Sequence, residues 1–98
     1  MILVVGSVIV QPGRLEEALA LSLEHVLRSR AEPGCITHGV HQDAENPQRL
    51  VFVEEWADAA ALQVHFRVPA SRQFGKALGA LAVEPPTMQV FQAEPVRL

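Results

Sequence analysis

The first ten residues, MILVVGSVIV, are apolar at every position except Gly6 and Ser7 and are rich in Val and Ile. Such a run is a strand, and Gln11-Pro12-Gly13 ends it as a turn. Side chains along a strand alternate between faces, so Ile2, Val4, Val8 and Val10 fall on one side and Leu3, Val5 and Ile9 on the other. Both sides are greasy. A later run behaves the same way, with Leu50 and Phe52 opposed to Val51 and Val53. An antiparallel sheet with one wet face alternates apolar and polar residues more cleanly than this. A soluble monomer also rarely exposes so large an apolar face. Helices on one side and a second copy on the other satisfy both constraints, and a two-fold homodimer packed sheet on sheet is expected.

The period changes after the turn. Leu15, Ala18, Leu19, Ser22 and Val26 recur at helical spacing, while Glu16, Glu17, Glu24 and Arg28 fall largely off that stripe. Glu32-Pro33-Gly34 ends the helix. A second strand over 35–42 (CITHGVHQ) and a third over Leu50–Trp56 flank the polar loop DAENPQR as a hairpin with a long turn. Asp58 is placed to cap a helix running from Ala59 toward Phe66. Pro69 interrupts that helix, and a further helical piece covers Ser71 to Leu81. Glu84-Pro85-Pro86 stops it, and Thr87 to Ala93 form a last strand. The expected fold class is α+β: a ferredoxin-like β-α-β-β-α-β unit with an antiparallel sheet, one domain over residues 1–98.

The totals exclude several functions. A formal charge of −3 and scattered Lys and Arg residues give no nucleic-acid surface. The apolar start is too short to span a bilayer and lacks the basic residues that open a secretory signal, so no membrane partner is expected. Cys35, the single cysteine, rules out an internal disulfide and fits a reducing compartment; cytoplasm is the default location. No metal site is expected. His38–His41 and His25–Cys35 match no common ligand spacing, and His38 and His41 point to opposite faces of a strand. No basic residue beside Cys35 activates its thiol.

The chain resembles the antibiotic biosynthesis monooxygenase domain family, a branch of the dimeric α/β-barrel proteins. The resemblance rests on the order and spacing of VQPG, the first helix, EPGC at 32–35, the hairpin, EEW at 54–56, AAALQVH at 59–65, the PP pair and the final strand. It implies a dimer of ferredoxin-like units with a small apolar pocket between sheet and helices in each subunit. It also implies oxidation of phenolic or quinol-type aromatics by molecular oxygen, with no metal and no flavin as cofactor. Other members of the fold group degrade haem or rearrange small molecules. Many quinol-oxidising members carry a Tyr where this chain has His38, and a second His where it has Ala70. The haem-degrading branch places an iron-ligating His in the second helical segment, and FGKALGAL contains none.

Candidate site residues follow from the strand and helix periods. Phe52, Glu54 and Trp56 share one face of the third strand, and His65 lies two turns into the next helix. His65 is the candidate general base, with Glu54 orienting its imidazole. The alternative for this pair is a buried hydrogen bond that only anchors the helix. Trp56 is a candidate wall for an aromatic substrate and equally a core residue, while Phe52 and Phe74 are packing residues first and pocket walls second. His38, on the side of Ile36 and Val40, is a second-choice catalytic residue that donates to a substrate oxygen. His25 and His41 are expected to be solvated. Two functions remain open: a monooxygenase acting without cofactor on a small electron-rich aromatic, and a non-redox dimeric barrel that binds or rearranges a small hydrophobic metabolite.

Overall fold

A computed structural model describes residues 1–98. The elements run β1 (Ile2–Ile9), α1 (Leu15–Ser29), β2 (Cys35–Gln42), β3 (Arg49–Trp56), α2 (Ala59–Arg67), α3 (Pro69–Ala80) and β4 (Thr87–Gln92). The four strands form one antiparallel sheet in the order β2-β3-β1-β4, the ferredoxin-like arrangement of an α+β chain. No helix is long and apolar enough to cross a membrane.

Local chemistry accounts for the boundaries. The Asp58 carboxylate accepts from the Ala61 N–H at 2.8 Å and caps α2. Pro69 forces Val68 into an extended conformation (φ −62°, ψ 123°), and the helical run divides there into α2 and α3. Gly34 takes φ +83°, and a Cβ built on it would stand 2.5 Å from the Ala61 Cβ. Only glycine meets both conditions, and the turn after α1 therefore seats directly on α2.

The alternation predicted for β1 is present. Ile2, Val4, Val8 and Val10 are buried beneath the helices, as are Leu50, Phe52 and Trp56 of β3. Leu3, Val5, Ile9, Val51 and Val53 are only half-buried on the opposite face, and Phe91, paired with Leu3, is 44% exposed. One departure concerns β2. Its register shifts between Cys35 and Thr37, leaving Ile36 55% exposed while His38 is buried. Ile36 and His38 thus differ in environment, because a bulge breaks the two-residue alternation.

The helix-facing core has two apolar clusters. Val8, Val10, Ala18, Leu50, Phe52, Leu78 and Leu81 form one, and Ile2, Val4, Trp56 and Leu62 the other. A third group of buried residues is polar: Ser22, His25, Ser29, His38, Glu54 and His65. A chain of this size has few core positions to spend on imidazoles and a carboxylate, since each polar group there needs a partner.

Candidate functional site

Glu54 occupies the helix-facing side of β3 between Phe52 and Trp56, where the strand period placed it. Its Oε1 accepts from the Trp56 indole N–H at 2.9 Å. His38 is its register partner on β2, with Nε2 3.3 Å from the same oxygen. The contact is a loose one, and no well-aligned hydrogen bond reaches either buried ring nitrogen of His38. Burial alone would raise the Glu54 carboxyl; the close His38 ring and the Trp56 N–H outweigh it and hold Glu54 below the ordinary range.

His65 comes from the last turn of α2 and is 3% exposed. Its Nδ1 lies 2.9 Å from Glu32 Oε1, not against Glu54. The expected Glu54–His65 pair is therefore corrected to Glu32–His65. The close seat of Ala61 on Gly34 explains the change: it carries His65, one turn further along α2, over the turn that bears Glu32. A carboxylate oxygen only accepts, so Nδ1 carries a proton, and in the neutral ring Nε2 holds the lone pair.

His25 corrects a second expectation. It is 5% exposed, not solvated, because it falls on the inward stripe of α1, three residues after Ser22 and seven after Ala18. Its ring stacks on Phe74 at 4.1 Å with an interplanar angle of 7°. Arg28 donates to its Nδ1 at 2.9 Å, which puts the proton of the neutral ring on Nε2. Burial, then the nearby His38 and His65 rings and Arg28, depress its pKa to about 3, so the ring is neutral at ordinary pH. His41 is exposed, as expected. Burial and the nearby Glu54 and Glu32 charges push the Cys35 thiol up, away from the reactive thiolate.

The three buried imidazoles form a triangle, with ring centroids 5.2 Å (His25–His38), 5.3 Å (His25–His65) and 5.6 Å (His38–His65) apart. The sequence spacings considered above could not bring this set to light, because its members lie on α1, β2 and α2 and meet only in the fold.

A cavity of about 320 Å³ opens beside the triangle. Its polar wall is His25, Glu54 and His65; Phe52, Phe74 and Leu78 supply apolar walls, and Gly6 and Val8 contribute from β1. Phe66 and Met88 also line it. Trp56 and His38 do not. Trp56 is fully buried, 4.6 Å from the His65 ring centroid, and backs the cavity where a substrate wall was expected. His38 sits in the layer behind. The volume suits a small molecule of one or two rings. A free imidazole nitrogen backed by a carboxylate can take a proton, and a neutral imidazole N–H can donate to an oxygen.

Comparison with known proteins agrees with this fold. The antibiotic biosynthesis monooxygenase family model matches residues 1–77. The uncharacterized protein sll1783 of Synechocystis sp. is 33% identical over 91 residues, which is 93% of this chain. The chain spans only 62% of that relative's length. A crystal structure of an antibiotic biosynthesis monooxygenase superimposes with a TM-score of 0.90 at 28% identity, covering 97% of this chain and 100% of the other. A conserved protein from Methanosarcina mazei Go1 gives a TM-score of 0.91 at 28% identity, covering 95% of this chain and 92% of that one. A match across most of the chain, joined to the strand order and the sheet–helix cavity, leads to one conclusion: the chain belongs to the antibiotic biosynthesis monooxygenase family.

Proposed function

We propose that this chain oxidises a small electron-rich aromatic, of the phenol or quinol type, with molecular oxygen. The observation that carries the reading is the Glu32–His65 pair on the wall of a cavity flanked by Phe52 and Phe74. Family membership supports the reaction class. In the proposed sequence the aromatic hydroxyl gives its proton to His65 Nε2 while Glu32 steadies the imidazolium that forms. The phenolate then gives one electron to oxygen, and the resulting radical and superoxide combine at a ring carbon. That carbon loses its hydrogen as the O–O bond breaks, yielding a quinone that keeps one oxygen atom, and water that takes the other. The substrate is the sole reductant. His25, neutral and carrying its proton on Nε2, is the donor available to a developing oxygen anion, a role first given to His38. From the layer behind, Trp56 and His38 hold Glu54 in place on the wall.

Oxygen uptake in the presence of a panel of hydroquinones and polycyclic phenols tests the reading. His65→Ala is expected to lower the rate by about 10²–10⁴-fold. Full activity in that variant removes His65 from the mechanism.

One observation favours a second reading, isomerisation of a small hydrophobic metabolite. The same cavity holds a free base at His65 and an N–H donor at His25, which is the equipment a proton shuttle needs. Ligand-induced thermal stabilisation without oxygen consumption selects it.

A further inference from the structure

We propose that His25, His38 and His65 form a binding site for one divalent first-row transition-metal ion, with an open coordination position toward the cavity. The inference goes beyond the oxidation reading and describes a different state of the cavity, because an ion on His65 Nε2 occupies the lone pair that reading uses as its base. Each ring offers a nitrogen, and the three nitrogens lie within 4.8 Å of one another. A zinc ion holds imidazole nitrogens at about 2.0–2.1 Å, so each ring has to close by less than about 1 Å. All three residues are nearly inaccessible to solvent, at 5%, 3% and 3% exposure.

Two features separate this triangle from a chance meeting of core histidines. His38 buries both ring nitrogens with no well-aligned hydrogen bond, Nδ1 having no partner and Nε2 only the Glu54 carboxylate 3.3 Å away, a poor arrangement for a merely structural histidine. His65 already has the outer partner that ligating histidines carry, since Glu32 takes its Nδ1 proton and leaves Nε2 free. Local charge agrees as well. Glu32 and Glu54 touch two of the three rings and offset an incoming dication. Imidazole donors suit zinc, cobalt, nickel, copper and iron rather than magnesium or calcium. His25 and His65 line the cavity and His38 does not, so an ion between the rings has its open side toward the space where a small molecule enters.

Arg28 is the competitor. It donates to His25 Nδ1, so an ion taking that lone pair, or taking Nε2 after the proton changes sides, displaces the guanidinium. Arg28 is half-exposed and has solvent to move into.

Titration of the chelator-stripped chain with Co²⁺ tests the site through its visible absorption. One equivalent is expected to bind with the intense bands of a low-coordinate ion and to be displaced by Zn²⁺. Replacement of exposed His41 by Ala leaves the titration unchanged. His25→Ala and His65→Ala each weaken binding by more than about 100-fold, and Glu32→Gln by about 10–100-fold. Arg28→Met tightens it, an effect that damage to the fold cannot produce. Circular dichroism checks folding, and the Glu32 and Arg28 variants keep the test decisive if a histidine variant unfolds. Absence of a one-equivalent site in the unaltered chain overturns the proposal, as does wild-type affinity in the His25 or His65 variant. The readout involves no turnover, so its failure leaves the oxidation reading standing; oxygen uptake measured with chelator present judges that reading alone.

Discussion

Trp56 shows how much a single side chain organises here. Its indole fills the smaller apolar cluster, packs beside His65, and gives Glu54 its one well-aligned hydrogen bond. Trp56→Phe keeps most of the apolar contact but leaves Glu54 buried without that donor. A loss of about 1–3 kcal/mol is expected in urea denaturation, with the fold retained. Residues such as Glu54 and His65 were legible because the two-residue and 3.6-residue periods place a side chain from its own neighbours. Glu32 was not, since its partner lies 33 positions away and nothing local marks the contact. His25 lay between these cases. The inward stripe of α1 already pointed to it, but a charged-capable residue on a helix read more readily as solvated.

Helix α2 carries the candidate base, and three devices fix it: the Asp58 cap at its start, the Gly34–Ala61 contact along its side and Pro69 at its end. Two of these were readable, because capping and proline breaks are local chemistry. The third depends on a contact between segments distant in sequence. Gly34→Ala adds a left-handed residue costing about 1–2 kcal/mol and drives its Cβ against Ala61. The variant is expected to melt at a lower temperature and to separate His65 from Glu32, a change visible as a shift of the His65 ring signals by NMR. Unchanged melting and unchanged ring signals would show that the turn does not position α2. The bulge in β2 escaped the sequence reading for a related reason. No Gly or Pro marks it, and Ile36 fits a strand on either face.

The whole molecule has one face covered by helices and one that is not. Leu3, Val5, Ile9, Val51 and Val53 on the uncovered side are joined by Phe91 at the edge of the sheet. An apolar face of this kind is expected to pair with its copy, and light scattering at micromolar concentration should give twice the chain mass. Val5→Arg, a charge in the middle of that face, should give a monomer; a monomeric unaltered chain contradicts the expectation. The succession of strands and helices, the break at Pro69 and the two-faced sheet were all legible, since each follows from periodicity and punctuation along the chain. The cavity was legible only as a region. Its actual wall exchanges Trp56 and His38 for His25, because depth within a sheet–helix interior depends on side-chain packing that no period encodes. The proposed oxidation requires this cavity to receive a hydroxyaromatic against His65. A crystal structure of the chain soaked with a hydroquinone tests that directly. The predicted result is a ring between Phe52 and Phe74 with its hydroxyl at hydrogen-bonding distance from His65 Nε2. A cavity filled by its own side chains, or a ring bound with no oxygen near that nitrogen, contradicts it.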